Sequence, residues 1–434
     1  MKYYIIAGEA SGDLHGSNLM KGLYAEDPEA DIRFWGGDLM ASVWHTFQNN
    51  PSHDFVAGRL IETVHRTVSC PLAYPCGQGG STVLKTTPDL KSGLVRHYKE
   101  GAVMGFVEVL AKAGRLMKNV RFCKEDILSW NPDVVILIDY PGFNFKIAEF
   151  AHKAGFKVFY YIAPKVWASR EGRIKKLKKY VDKLYIVFPF EKPYFDSKGV
   201  DYIYIGNPLV DAIDNSGAMS ESRDDFLKRN SLEDRPIIAM LAGSRKNEIS
   251  TMMPVLTEFA AKMHSLPEYS DYQFLIAGAP ARTIEDYDDW LTEENSGYLK
   301  ILFGEAHSII RQAKAGVINS GTASLETVLL GTPQVVGYIT NPLTYQLARK
   351  IIKVKYISLG NLIADRPAFK EMIQDDCNAE SLVTEVRALI EDKEYRDRML
   401  ADYADIRAEL GGTGASAAVA RSMIEELAEK DASN

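Results

Sequence analysis

The sequence predicts an α/β protein built from two doubly wound parallel sheets. Three observations carry this. Short apolar, β-rich runs recur nearly throughout, separated by stretches of helical length, and continuous apolar runs mark parallel strands buried on both faces. The alternation starts afresh near Asn207-Pro208 and the polar stretch Asn215–Arg235, which reads as the linker. At 434 residues the chain is also too long for one core and suits two domains.

In the first half the expected strands are Tyr3–Ala7, Ile32–Trp35, Val134–Asp139, Lys157–Ile162, Leu184–Phe188 and Tyr202–Ile205. In the second they are Ile237–Leu241, Gln273–Ala277, Lys300–Phe303, Gly316–Ile318 and Gln334–Tyr338, with helices such as Pro254–His264 and Ser324–Leu330 between them. Two such sheets face a cleft, and ligands are expected at the carboxyl ends of the strands. One segment breaks the rhythm. Between about Ser42 and Gly93 the sequence turns rich in Pro, Gly and polar residues and carries His45, His53, His65, Cys70 and Cys76, which reads as an inserted loop.

Composition excludes several function classes. A net charge of −7 argues against nucleic acid as a partner. No apolar run approaches the ~20 residues of a membrane span. A first strand beginning at the N-terminus leaves no room for a signal peptide, so the expectation is a cytoplasmic protein, free or held at a membrane surface. Cys70, Cys76, Cys123 and Cys377 are scattered, as in a reducing compartment, and the spacing of Cys70 and Cys76 does not suit zinc.

The first strand runs into "AGEASGDLHG", a strand–glycine turn–helix junction of the kind that often cradles phosphate. Here Glu9 and Asp13 would repel one. The second half supplies what the first lacks. "LAGSRKNEI" offers Gly243 for close backbone approach, the Ser244 hydroxyl, and Arg245 and Lys246 ahead of a helix. "NSGTASLE" opens another helix at Ser320, Gly321 and Thr322, and Glu326 one turn on could accept from ribose hydroxyls. Two such loops suggest a nucleotide diphosphate in the second half. The acidic loop is then free for a sugar, and Glu9, Asp13, Glu108 and Asp139 are the carboxylates that could bind a hydroxyl or take its proton. Asp139 ends a fully apolar strand and is best placed as a base, although a turn or helix cap is its ordinary use. The acidic run "EDYDDW" reads as a solvated helical face and not a metal site. "SREGRIKKLKKYVDK" has the pattern of a basic amphipathic helix, with Ile174, Leu177 and Val181 as its apolar face, and Val107–Phe122 repeats it.

In this order the chain carries "AGEASGD", "MGFVEVL", "ILIDYPGFN", "YIAPKVWA", "FPFEKPYF", "GNPLVD", "LAGSRKNEI", "NSGTASLE" and "YISLGNLIADR". Together they resemble the lipid-A-disaccharide synthases, glycosyltransferases of Gram-negative lipopolysaccharide assembly, over roughly residues 1–42 and 93–425. The resemblance implies a GT-B fold: two Rossmann-like domains facing a cleft, with C-terminal helices crossing back to the first. It divides the chain into an acceptor and membrane-side domain (1–206), a UDP-sugar domain (207–375) and the crossing helices (376–434). It implies transfer of 2,3-diacylglucosamine from its UDP derivative to 2,3-diacylglucosamine 1-phosphate (lipid X), giving a β-1,6-linked disaccharide 1-phosphate and UDP. It also implies inversion, no metal or other cofactor, and work at the cytoplasmic face of the inner membrane, and it admits a homodimer.

Carried over by motif, Asp139 is the base with Glu9 beside it. Ser11, Asp13, Met104, Gly105 and Glu108 lie on the acceptor side. Gly243, Ser244, Arg245, Ser320, Gly321, Thr322 and Glu326 lie on the UDP side. Asn361 joins the UDP set by resemblance only. Two features depart from the family pattern: Ala242, where many members have proline, and the insertion at about 43–92, which has no recognised counterpart. Other readings are a different UDP-sugar enzyme of the same fold, or a non-catalytic UDP or lipid binder if the insertion covers the cleft. A dinucleotide oxidoreductase fares badly without Gly-x-Gly-x-x-Gly after the first strand.

Overall fold

The structure, a computed structural model, describes residues 1–49, 93–101, 108–342, 345–346 and 354–431. The expected insertion from residue 50 onward, with Cys70, Cys76, His53 and His65, lies outside the described residues, as do Met104 and Gly105.

Two parallel sheets organise the chain. Among the described residues the first has seven strands: β1 (Lys2–Ala7), β2 (Asp31–Gly36), β3 (Leu94–His97), β4 (Val134–Ile138), β5 (Lys157–Tyr161), β6 (Lys183–Ile186) and β7 (Ile203–Tyr204). Their order is β3-β2-β1-β4-β5-β6-β7. The second has six: β8 (Ile237–Leu241), β9 (Gln273–Gly278), β10 (Leu299–Phe303), β11 (Ala315–Asn319), β12 (Gln334–Tyr338) and β13 (Glu371–Ile373). Their order is β10-β9-β8-β11-β12-β13. In both, the chain winds outward one way from the first strand and then the other, which opens a crevice beside β1 and β8. The central strands are solid apolar cores; every residue of VVILI in β4 and IIAML in β8 is buried.

The expected strands match the observed ones to within a residue or two. β3 and β13 were not anticipated: "LVRH" and "EMI" are short, only partly buried edge strands and leave no apolar run. The helix expected to start at Pro254 begins at Lys246 and runs to His264 with the proline inside it. Residues 43–49 do not belong to an insertion. They complete the helix Asp38–Asn49, whose Val43 and Phe47 are buried, with Phe47 stacked on Tyr24 at 4.2 Å.

Motif residues build the joint between the sheets. The Asn207 side chain accepts from the Leu209 N–H at 2.9 Å, capping the helix Pro208–Asp214, and donates to the Val187 carbonyl at 2.9 Å. Buried Asp211 accepts from the backbone N–H groups of Gly414 and Ser416, at 2.5 and 2.7 Å, where the last helix begins. Of the C-terminal segment, Ala379–Glu391 packs on the Lys246–His264 helix and β11 of the second sheet. The final helix, Ala415–Asp431, crosses to the first domain and lies along Ala10–Glu26, and the end of the helix before it, Lys393–Leu410, is met by Tyr204 Oη at the Glu409 carbonyl. Gly22 permits that approach, since a Cβ there would come within 2.8 Å of Ala420 Cβ. Arg421–Glu26 (2.6 Å) and Lys183–Glu426 (2.5 Å) flank the contact.

The basic stretch does not form a free amphipathic helix. In Ile174–Tyr180 the residues Ile174, Leu177 and Tyr180 are buried in the first domain, so its apolar face is spent on the core and only Lys175, Lys176, Lys178 and Lys179 face water. The "EDYDDW" run forms two 3₁₀ turns instead of a helix, with Tyr287 buried between them.

Candidate active site

The carboxyl ends of the two sheets face each other across a cleft of about 2350 Å³. Single small-molecule sites occupy roughly 300–1,000 Å³, so this one has room for two substrates.

On the first-domain wall, β4 ends in Asp139. Its φ of +40° and that of Tyr140 at +44° put two consecutive side chains in the left-handed region, which Asp tolerates and Tyr does not favour. The turn is held by its neighbours. Tyr160 Oη and Asn144 Nδ2 both donate to the Asp139 carbonyl, at 2.6 and 2.8 Å, and the Asp139 N–H donates to the Tyr161 carbonyl at 3.2 Å. Burial raises the Asp139 pKa and the charge of Glu9 adds to this, against Lys165 and the Tyr140 N–H. Glu9, just after β1, is more than half exposed, and Ser11 lies in the first turn of the following helix; both line the cleft.

Asp13 also borders the cleft, but most of its acceptor capacity is spent within the fold. Its carboxylate accepts from the N–H groups of Gly37 (2.7 Å), Leu39 (3.1 Å) and Met40 (3.1 Å), capping the Asp38–Asn49 helix. The acid expected on the acceptor side thus has a structural role, satisfying orphan helix donors. Glu108 is the first residue of the helix Glu108–Trp130, and its side chain lies outside the described set.

The second-domain wall is built from the loops after β8 and β11. Gly243 has φ +111°, and a Cβ there would meet Asn319 Nδ2 at 2.3 Å, so only glycine fits. Asn319 in turn ties the two loops together by donating to the Ala242 carbonyl at 3.2 Å. The helix start at Lys246 is not the open anion site that the sequence suggested. Glu248 accepts from the N–H groups of Ser244 (3.0 Å) and Arg245 (3.2 Å) and pairs with the Arg245 guanidinium at 3.0 Å. What this loop offers the cleft is the Arg245 side chain, two-thirds exposed, whose Nη2 reaches to 3.9 Å from Glu9 Oε2.

The helix Thr322–Leu330 is different. Its N-cap is Gly321, which has no side chain to cap it, and Ser320, Gly321 and Thr322 all line the cleft. Glu326 projects from the same helix into the cleft and meets His307 Nε2 at 3.3 Å.

Asn361 does not face the cleft. It is buried, donates to the Phe369 carbonyl (2.9 Å) and Glu371 Oε1 (3.0 Å), and accepts from the Phe369 N–H (3.2 Å). Glu371 then accepts from the N–H groups of Ile357 and Ser358, both at 3.0 Å. Asn361 thus shapes a cleft-lining loop from behind; the UDP contact expected of its side chain is corrected to this role.

Sequence reasoning passed over several cleft residues. Lys165 and Trp167 lie in the loop after β5, and His307 stands opposite on the second wall. Behind Trp167 is Glu191, 1% exposed, which accepts from Trp167 Nε1 (3.0 Å) and from the N–H groups of Val187 (3.1 Å) and Phe188 (3.0 Å). Burial pushes its pKa up to about 7 in spite of these bonds. A lone Glu inside "FPFEKPYF" was the available signal; for His307 there was none.

A family model described as lipid-A-disaccharide synthetase matches residues 52–420, a span that takes in most of the segment at about 43–92 for which no counterpart was expected. The chain is 33% identical over 426 residues to the lipid-A-disaccharide synthase of Geobacter metallireducens, covering 98% of this chain and 97% of that one. It is 29% identical over 418 residues to the enzyme of that name from Coxiella burnetii, covering 96% of each. Among solved structures it is similar to a UDP-N-acetylglucosamine 2-epimerase, described as putative, from Listeria monocytogenes (TM-score 0.59, 15% identity, 96% and 93% covered). It is also similar to the UDP-GlcNAc 2-epimerase of Methanocaldococcus jannaschii in complex with UDP-GlcNAc and UDP (TM-score 0.58, 14% identity, 98% and 100% covered). At these identities the structural likeness concerns the fold, two α/β domains in the GT-B arrangement.

Proposed function

We propose that this chain, which belongs to the lipid-A-disaccharide synthetase family and is a glycosyltransferase of lipid A assembly, joins UDP-2,3-diacylglucosamine to 2,3-diacylglucosamine 1-phosphate. One observation carries the reading. A wall bearing a half-buried carboxylate, Asp139, faces a wall bearing Arg245, the uncapped Gly321 helix start and Glu326. That arrangement suits a base and a nucleotide diphosphate on opposite sides of one reacting centre.

In this mechanism Asp139 takes the proton of the acceptor 6-hydroxyl as its oxygen bonds to the donor's anomeric carbon. The bond from that carbon to the diphosphate oxygen breaks on the opposite face, so the centre inverts and the electron pair leaves with UDP. Arg245 and the Thr322 helix start stabilise the departing charge, and Glu326 orients the ribose. Holding both substrates in one cleft supplies the proximity term. Both substrates are acylated, which places the enzyme at a membrane surface. Supporting this are the exposed Lys175, Lys176, Lys178 and Lys179. Exposed Met117 on the Glu108–Trp130 helix is consistent with it. No helix among the described residues is long and apolar enough to cross a membrane.

The test is UDP release in detergent micelles with UDP-2,3-diacylglucosamine, with and without the acceptor. Release that requires the acceptor is expected. UDP binding with no release under either condition would overturn the catalytic reading in favour of a binding protein.

A further inference from the structure

The first-domain wall carries cations to which the mechanism above gives no ligand, although Lys165 also bears on the Asp139 pKa. Lys165 follows β5, the strand beside that of Asp139, and lines the cleft, as do Ser169 and Arg173. Among the described residues, neither Lys165 nor Arg173 has a carboxylate within ion-pairing distance. Arg173 is partly buried, with its guanidinium carbon 5.5 Å from the centre of the Phe145 ring. Burial and the neighbouring Arg170 both bear on it to lower its pKa. With the Phe145 ring on one side, the Arg170 charge nearby and no described carboxylate in reach, the Arg173 guanidinium is left with donors for an arriving anion. The donor diphosphate is already served on the opposite wall by Arg245 and the Thr322 helix start.

We propose that Lys165, Ser169 and Arg173 form a phosphate-monoester subsite that seats the acceptor's 1-phosphate, an assignment that rests on the proposed function. A chain of packed side chains connects Arg173 to the base. Phe145 packs on Tyr160 with ring centres 5.8 Å apart, and Tyr160 Oη donates to the Asp139 carbonyl at 2.6 Å. An acceptor anchored by its phosphate at Arg173 therefore has its reacting hydroxyl indexed against Asp139. Arg173 supplies a planar bidentate fork and Lys165 a point charge, the two usual means of holding a phosphate.

The experiment compares the phosphorylated acceptor with the same acylated sugar lacking the phosphate, in neutral detergent micelles free of anionic lipid. Binding of each to the UDP-saturated protein is measured alongside UDP release. Wild type is expected to bind the phosphorylated form more tightly. Arg173→Gln and Lys165→Met should each weaken that binding and raise its KM by roughly 10- to 100-fold, the scale of one charged hydrogen bond. Binding of the phosphate-free sugar and of UDP should be unchanged. Equal wild-type affinity for the two sugars would overturn the subsite whether or not turnover occurs. So would a matching loss of UDP affinity, which would assign the cations to the donor. The comparison is repeated on anionic vesicles, and an effect of the substitutions seen only there would overturn the subsite and assign the cations to the bilayer. Absent UDP release together with intact phosphate discrimination would count against the glycosyltransfer and leave the subsite standing.

Discussion

Replacing Asp139 by Asn tests the base assignment with little disturbance to the fold. Asn tolerates the +40° φ as Asp does, and its amide oxygen can still accept the Tyr140 N–H that the carboxylate uses. What it removes is the proton acceptor, worth about 10²–10⁴ in rate for a positioned general base. kcat should fall at least a hundredfold in the micelle assay while UDP binding is unchanged, since the proposed nucleotide site is on the other wall.

The raised pKa adds two further readouts. Activity needs the carboxylate, so the acid limb of the rate profile should lie above the usual carboxylate range, and Glu9→Gln should move it down by removing a charge that raises Asp139. For stability the sign is opposite. A carboxyl whose pKa is raised on folding stabilises below its unfolded pKa and loses that contribution as pH rises through the folded one. Asp139→Asn should therefore raise Tm at neutral pH, and the gain should vanish in acid. Near-wild-type turnover would refute the assignment and pass the role to Glu9, since Asp13 is engaged in capping.

Glu191→Gln should flatten a fall in wild-type Tm across pH 4.5–7, because a folded pKa of about 7 against an unfolded 4.5 means that stability is lost as pH rises through that window. The amplitude, followed by thermal melts in buffers of matched ionic strength, is on the order of 3 kcal/mol. Asp13→Ala uncaps the Asp38–Asn49 helix and should cost about 1–2 kcal/mol in chemical denaturation, with UDP affinity intact. Gly243→Ala forces a side chain against Asn319 at a φ of +111° and should weaken UDP binding by calorimetry, with acceptor binding unaffected. Deleting residues 50–92, which spares buried Val43 and Phe47, should leave acceptor-dependent UDP release intact; a large gain in rate would show the segment to be inhibitory.

Most of the fold was legible because buried parallel strands write themselves as uninterrupted apolar runs. What escaped was governed by contacts distant in sequence. "LVRH" and "EMI" become strands only because β2 and β12 present an edge to pair with. Pro254 reads as a helix start, yet it is tolerated inside one: the carbonyl it leaves unbonded belongs to Ser250, which is exposed to water. Asp139, Arg245 and Glu326 were legible as cleft residues because each follows the carboxyl end of a strand, where this topology gathers ligands. Asp13 and Asn361 carry the same side-chain chemistry and sit in equally distinctive motifs, but their partners, Gly37 and Phe369, lie on other turns of the chain. A motif marks a residue as constrained; whether the constraint is a ligand or a backbone N–H is decided by which way the side chain turns.

The division of charge across the cleft also bears on how the two halves come together. Among the described residues, the ion pair that joins the loops after β1 and β8, Glu9 with Arg245, is long at 3.9 Å, and both side chains are more than half exposed. Such a pair contributes little, about 0–1 kcal/mol, so it does not lock the cleft. A diphosphate offers Arg245 a bidentate, doubly charged partner that the distant Glu9 carboxylate cannot match. In the proposed reaction, donor binding would then release Glu9 to the first wall, where its charge already helps to hold the Asp139 pKa up. The acid loop after β1 and the basic loop after β8 are in this sense one device. The feature that made the first glycine turn look wrong for a phosphate is what equips it to face one held by the other domain.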